Sequence, residues 1–183
     1  MFKKLLDVQK TNSLGEGTLY WCHLMNNLAL CYQHQAKYTK AETLYKQILN
    51  KQKELTGKED RRTLENLANL YGMMERLTEA QSLYEAIISM MATNDPQFVS
   101  AMSNLARIYM KQSKFTKAEE ILKKCFNQLK DTIGLDDPTT LNVMMTLATV
   151  LGQQAKTLDA QKLLLECLER QKKILGGNII ICY

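Results

Sequence analysis

The chain has 183 residues, of which 45% are hydrophobic and 23% are charged, and its formal net charge at pH 7 is +5. This apolar content is sufficient for a packed core and argues against intrinsic disorder. No apolar run approaches the roughly 20 residues that a transmembrane helix needs, and the first residues lack the pattern of a signal peptide.

Two prolines in 183 residues is a low number, because prolines make up about 5% of an average protein. Few helix breakers, together with abundant Leu, Ala, Met, Gln, Glu and Lys, favour helix throughout the chain. Lys and Arg form no run longer than a pair, and no aromatic residues alternate with them, so the +5 charge does not indicate nucleic-acid binding.

The chain contains an internal repeat. Four segments that begin at Met25, Leu64, Met102 and Met144 align without gaps, and each is followed by a second similar block. The alanines of the second blocks are spaced by 39, 38 and 42 residues: Ala41, Ala80, Ala118 and Ala160. A repeat of this length with two helical blocks predicts a solenoid of helix–turn–helix units.

The predicted elements follow in chain order. Residues 1–20 are expected to be the remnant second helix and linker of a preceding repeat. Four repeats are then predicted at 21–57, 58–94, 95–135 and 136–175, and residues 176–183 form a linker or tail. Because neither end has a polar capping helix, we expect a segment or short isoform of a longer array, with the alternative that the apolar tail covers the last helix.

Each repeat places its apolar residues on one helical stripe. Met25, Leu28, Ala29 and Tyr32 stand at i, i+3, i+4 and i+7, which is the spacing of one face of a helix. The other first helices repeat this stripe. Two alanine columns, one in each helix of the repeat, are predicted to mark close backbone approaches: Ala29, Ala68, Ala106 and Ala148, and Ala41, Ala80, Ala118 and Ala160.

Several residues have the pattern of helix starts. Thr39, Thr78 and Thr116 are each followed three residues later by Glu or Gln, which predicts capping boxes at three of the second helices. Asp95-Pro96 and Asp137-Pro138 predict an N-cap Asp followed by a proline in the first turn of the next helix.

The pattern resembles the tetratricopeptide repeat, and within it the long-linker arrays of the kinesin light chain and nephrocystin type. The residues that carry the resemblance are Asn26–Ala29 with Tyr32, Lys37-Tyr38, Ala41-Glu42, Leu44-Tyr45 and the linker 133–140. The resemblance implies an all-α fold, a right-handed α-solenoid of four repeats. The glycine usual between the two helices is replaced here by Ala36, Glu75, Ser113 and Ala155.

No catalytic or metal-binding constellation is found in the sequence. Phosphate-binding Gly-rich loops, GxSxG and HExxH motifs are absent, so we expect a non-enzymatic protein without a cofactor. The five cysteines are odd in number and form no CxxC pair. They are interpreted as reduced core residues of a cytoplasmic protein, and no metal is expected.

The resemblance implies that the face of the first helices opposite the apolar stripe lines a concave groove. Four residues of each first helix lie on this face, and none of the sixteen is Asp or Glu. Asn27, Asn66 and Asn104 share one column, although Asn is a mediocre helix residue. An amide side chain can bind both the C=O and the N–H of a peptide. The predicted peptide-binding residues are His23, Asn27, Arg62, Asn66, Asn69, Asn104, Arg107 and Lys111; a solvated helix face is the alternative.

The predicted function is therefore a protein-interaction module, an adaptor or scaffold that binds an extended acidic peptide of a partner protein. The nearest resemblance is cargo binding by kinesin light chain. The alternative is a structural segment of a larger scaffold or regulatory protein that self-associates through the ends of the array or makes domain–domain contacts. Neither a small-molecule substrate nor a membrane span is expected.

Overall fold

The computed structural model describes residues 18–92, 95 and 97–174, and within these ranges it contains eight α-helices and no strand. The helices are α1 (Leu19–His34), α2 (Tyr38–Thr56), α3 (Arg61–Met73), α4 (Leu77–Ser89), α5 (Phe98–Lys111), α6 (Phe115–Thr132), α7 (Pro138–Gln153) and α8 (Thr157–Ile174). The all-α prediction is confirmed. The predicted remnant helix before residue 18 and the tail 176–183 lie outside the described residues, and no described helix is long and apolar enough to cross a membrane.

The helices form two compact units. The first unit, Met1–Ser89, contains α1 to α4, and the second unit, Met90–Tyr183, contains α5 to α8. In both units each helix packs against the next along the chain, and in the first unit α1 also contacts α3. Each unit is therefore two helix–turn–helix pairs, so the repeat pattern in the sequence corresponds to a repeat of structure.

The turns between paired helices share one backbone geometry. The residue after each first helix's C-cap has a positive φ: 55° at Ala36, 58° at Glu75, 58° at Ser113 and 60° at Ala155. The next amide donates back to a carbonyl five residues earlier, as from Lys37 N to Tyr32 O at 2.9 Å. This is a Schellman cap, in which the left-handed position favours glycine. These four positions are those at which the tetratricopeptide-like pattern usually has glycine and this chain does not.

The alanine columns lie at the centre of the packing. Ala29, Ala68 and Ala106 are completely buried and Ala148 is nearly so. In the second column Ala41, Ala80 and Ala118 are completely buried, and Ala160 is buried with 6% of its surface exposed. Large apolar residues pack beside them, including the fully buried Tyr45 and Tyr84. The burial of every alanine in the two columns is therefore consistent with the predicted close approaches.

The predicted capping boxes are wrong. Thr39, Thr78 and Thr116 are each the second residue of a helix, and the N-caps Lys37 and Lys114 make no side-chain cap bond. The helices begin earlier because the Schellman turn leads directly into the second helix, which leaves no extended residue for a Thr cap. The cap at Asp137 is confirmed, since its side chain accepts from Thr139 N at 2.7 Å.

The prediction of an N-cap at Asp95 is also wrong. Helix α5 begins at Phe98, and Gln97 is its N-cap. The Asp95 carboxylate instead accepts from the amide of Gln97 at 2.8 Å. Asp95 therefore closes a turn that precedes the helix.

The glutamates that were expected to complete the capping boxes join successive helix pairs. In the first unit, Glu42 on α2 binds the Arg76 guanidinium at 2.9 Å and accepts from the Tyr71 hydroxyl at 3.1 Å. In the second unit, Glu119 on α6 binds Lys156 at 2.7 Å and Lys123 at 2.6 Å. Each basic partner, Arg76 or Lys156, directly follows the left-handed turn residue of the next helix pair.

These contacts change the ionisation of both acids. Burial raises the pKa of Glu42, but hydrogen bonds from Lys46, Arg76 and Tyr71 outweigh it and lower the pKa overall. Hydrogen bonds from Lys123 and Lys156 lower the pKa of Glu119 from its ordinary 4.5 to about 2. Both carboxylates are therefore stabilised in their charged form.

A glycine at a turn is expected to stabilise the protein. Ala36→Gly removes the clash of a β-carbon in the left-handed conformation and should raise the free energy of unfolding by ~0.5–1 kcal/mol in urea titrations. The same substitution inside a helix, Ala86→Gly, is the control and should lower it by ~1 kcal/mol. A loss of stability in Ala36→Gly would contradict the strain at this turn.

Glu119→Gln should remove a pH-dependent part of the stability. Because the folded-state pKa is depressed, the stabilisation is fully present above pH 4.5 and is lost as the pH falls toward about 2. We expect Glu119→Gln to lower the free energy of unfolding at pH 7 by ~1–3 kcal/mol, with the difference vanishing in acid. The control is Glu120→Gln, at the exposed neighbouring position, which should change the free energy of unfolding at pH 7 by less than ~0.5 kcal/mol.

Candidate functional site

The second unit contains an open groove between α5, α6 and α7, with a cavity volume of about 840 Å³. Five residues on the predicted binding face of the first helices line it: Ser100, Asn104 and Arg107 from α5, and Asn142 and Thr146 from α7. The structure therefore brings together the polar stripes of the third and fourth repeats.

The groove has an apolar floor and a polar rim. Val99, Leu129 and Val143 lie at its base and are buried, while Ile133 is exposed at its side. The rim carries amide and hydroxyl groups, including the side chains of Asn142 and Ser100. A groove of this kind can enclose an apolar side chain of a bound peptide at its floor. The polar groups of the rim can at the same time form hydrogen bonds to the peptide backbone.

The charges of this groove are separated along α5. Asp95, which precedes the helix, lines one part of the groove, and Arg107 lines another. Lys111 is exposed one turn beyond Arg107. At 1.5 Å per residue, the start of α5 and Arg107 are ~14 Å apart along the helix axis. The predicted stripe contained no acid, and Asp95 was missed because it lies outside the helix.

The corresponding groove of the first unit is smaller, with a cavity volume of about 330 Å³. His23 lines it, and the Arg62 guanidinium donates to His23 Nδ1 at 2.7 Å. The same columns in the second unit hold the shorter Ser100 and Asn142. The His–Arg contact therefore joins α1 and α3 where the second unit leaves its groove open.

The predicted column of asparagines is divided among different environments. Asn27 is exposed, Asn66 is half-buried and donates to Asn26 Oδ1 at 3.1 Å, and Asn104 accepts from Arg107 at 3.0 Å. Asn69, also predicted to bind peptide, accepts from the Tyr84 hydroxyl at 2.6 Å. Asn66 and Asn69 thus both take part in contacts within the first unit.

Sequence reasoning missed a buried polar network in the first unit. Asn26 is 2% exposed and donates to Thr63 Oγ1 at 3.2 Å, and Thr63 donates in turn to Asp60 at 3.2 Å. The second unit has Val143 in the Thr63 column, and its own buried threonine, Thr140, lies three residues earlier and donates its hydroxyl to Gly134 O at 2.7 Å. A signal was present in the sequence, because Thr63 and Thr140 each follow an acidic N-cap by three residues.

The described residues include no group of three or more His, Cys, Asp and Glu side chains that could hold a metal ion. Four described cysteines are free thiols, and three of them are buried. Burial raises the pKa of the Cys125 thiol to about 12 and also raises the pKa values of Cys22 and Cys167. These thiols are therefore poor nucleophiles and fit a packing role.

Comparison with known proteins identifies the repeats. A family model described as tetratricopeptide repeat matches residues 22–92 and 97–173. No curated protein sequence matches the chain significantly. These matched ranges contain all four helix–turn–helix pairs except for their terminal residues.

Solved structures share the fold at low sequence identity. The TPR-like repeats of a Podosopora anserina protein assigned as a kinesin light chain match with a TM-score of 0.83 and 21% identity, covering 96% of this chain and 85% of that one. BtubC (BKLC) from P. vanneervenii matches with a TM-score of 0.73 and 21% identity over 94% and 70% of the two chains. MamA from Desulfovibrio magneticus RS-1 matches at 0.66 and 12% identity, over 83% and 76%.

Removal of the buried amide should destabilise the first unit. Asn26→Ala leaves Asn66 Nδ2 without its acceptor, so we expect the free energy of unfolding to fall by ~1–3 kcal/mol in urea titrations. Asn50→Ala, at an exposed position of α2, is the control and should change it by less than ~0.5 kcal/mol. Asn66→Ala should have a smaller effect in the Asn26→Ala background than alone; additive effects would contradict the network.

Proposed function

We propose that this chain, which belongs to the tetratricopeptide repeat family, is a non-enzymatic interaction module that binds an extended, acidic peptide segment of a partner protein. The family's fold typically mediates contacts between proteins, so a protein partner is the general expectation. The observation that carries the finer proposal is the groove of about 840 Å³ between α5, α6 and α7, with its apolar floor and polar rim.

Hydrogen-bonding capacity supports an extended peptide as the ligand. Asn104 engages Arg107 through its oxygen, and its amide nitrogen is suited to donate to a peptide carbonyl. Asn142 and Thr146 face the same groove from α7. An extended chain presents its backbone groups at regular intervals to both sides, while one side chain in two can point to the apolar floor.

The distribution of charged residues around the groove supports one orientation of the bound peptide. Arg107 and Lys111 are one turn apart on α5, and Asp95 lies toward the opposite end of the helix. We therefore propose that the acids of the peptide lie near Arg107 and Lys111 and that its uncharged part lies near Asp95. The first-unit residues His23, Asn27, Arg62, Asn66 and Asn69 are proposed as a separate, smaller contact surface.

The wider role is proposed by similarity. The kinesin-light-chain-like structural neighbours favour an adaptor or scaffold that holds cargo or regulatory proteins. A cytoplasmic location is proposed from the free thiols among the described cysteines, since reducing compartments keep cysteines unpaired.

Selection from a random peptide library displayed on phage tests the proposal. We expect enrichment of peptides with an apolar residue beside a cluster of Asp or Glu. Binding of an enriched, fluorescently labelled peptide should weaken by ~10-fold in Arg107→Gln and should fall as salt is raised. Asn104→Ala should weaken it by ~5-fold, the equivalent of losing one hydrogen bond.

The matched control is Lys124→Gln, which removes the same charge from an exposed position of α6 outside the groove. It should leave the dissociation constant within ~2-fold of wild type. Failure to enrich acidic peptides, or equal affinity in Arg107→Gln and Lys124→Gln, would refute the acidic-peptide proposal. Enrichment followed by loss of binding in both groove variants would support it.

Self-association is the second candidate function. One observation favours it: α8 carries exposed leucines, of which Leu158 and Leu165 are 81% and 61% accessible. Exposed apolar surface of this kind commonly marks a protein contact.

A further inference from the structure

Helix α8 has four leucines on one exposed face that no other described helix covers. Leu158, Leu164, Leu165 and Leu168 are all exposed. At 100° per residue, these four side chains fall within an arc of ~120° on the helix. The opposite side of α8, with Ala160 and Cys167, packs in the core of the second unit. Helix α8 therefore has two apolar sides, one packed in the core of the second unit and one exposed.

Two of these leucines stand where the other repeats have polar residues. The Leu158 column holds a threonine in the first three repeats, and the Leu165 column holds a charged residue. The equivalent residues, all exposed, are Thr39, Thr78 and Thr116, and Lys46, Glu85 and Lys123. Stacking of one repeat on the next leaves these columns in solvent, so it does not account for leucine in them.

We propose that α8 is a homotypic interface that packs antiparallel against α8 of a second copy of this chain. The face has heptad spacing, with Leu158, Leu165 and Lys172 at one core position and Gln161 and Leu168 at the other. This is the seam by which two helices pack side by side. A contact of α8 with α8 uses the same patch on both copies and closes as a two-fold dimer.

Charge complementarity selects the antiparallel direction. Lys162 and Glu169 are exposed beside the leucine seam, and neither has a partner within the part of the chain that the structure describes. An antiparallel pairing centred between residues 165 and 168 brings Lys162 of each copy to Glu169 of the other. A parallel pairing would instead oppose Lys172 to itself, and like charges at such positions are repulsive.

This interface rests on the self-association candidate and does not depend on the peptide groove. The leucine face belongs to α8, whereas the groove is lined by α5, α6 and α7. Peptide binding and dimer formation can therefore fail separately.

Sedimentation velocity of the full chain over a range of concentrations, with a thiol reductant present, tests the interface. We expect a species of twice the 21.0 kDa chain mass. Leu165→Glu should raise the dimer dissociation constant at least ~10-fold, because the new carboxylate would be buried against a leucine. Peptide binding in this variant should be unchanged. Leu55→Glu, at an exposed leucine of α2, is the matched control and should dimerise as the wild type does.

A charge exchange tests the direction of the pairing. Lys162→Glu and Glu169→Lys should each weaken the dimer, and the double variant should restore it, because both cross-copy pairs are then re-formed in reverse. A chain that stays monomeric at every concentration overturns the proposal. So does a dimer that Leu165→Glu leaves intact, and a double charge exchange that restores nothing overturns the antiparallel arrangement.

Discussion

The close packing of helices at the buried alanines is the constraint on which the rest of the structure depends. Ala29, Ala68 and Ala106 are completely buried, and a larger side chain at any of them would separate the helices around it. Because the packed side of each helix is fixed in this way, its opposite side is fixed as well. The polar residues that line the groove are therefore positioned by residues that never reach it.

Ionic contacts add specificity to this apolar packing. Glu42 and Glu119 lie on second helices and bind the basic residue that follows the turn of the next pair. The position of these two acids in the repeat holds Glu in the first and third repeats. It holds glutamine in the second and fourth, at Gln81 and Gln161. The acid therefore appears once in each compact unit, at the step between its two helix pairs. Partly buried carboxylates with two cationic partners bind more strongly than exposed ion pairs do.

The sequence predicted those features that depend on periodicity. The apolar stripe and both alanine columns follow from spacing along a helix and from comparison of the repeats, and the structure agrees with each. The four unusual turn residues follow from the resemblance to the tetratricopeptide repeat, and all four have a positive φ. It misplaced the helix starts at Thr39, Thr78 and Thr116. A capping box has the same local pattern as a residue in this column that reaches the next repeat, as Glu42 and Glu119 do. It did not predict the contacts of Asn26, because Thr63 and Asn66 belong to another helix pair. It did not place Asp95 in the groove, because this residue lies in a loop before the helix. Contacts between helix pairs join residues far apart in the chain, and no local pattern encodes them.

The two units show how one backbone pattern yields two different surfaces. In the first unit, a His and an Arg meet across the groove at 2.7 Å, and Asn66 is held by the buried Asn26. In the second unit the equivalent columns carry shorter side chains, and the groove there is more than twice as large. These residues are Ser100, Asn142, Thr146 and Ser103. These side chains differ between the units, while the alanine packing beneath them is shared. A repeat protein can in this way keep one scaffold and vary its binding surface unit by unit, so the groove of each unit has to be interpreted from its own residues and not from the repeat consensus.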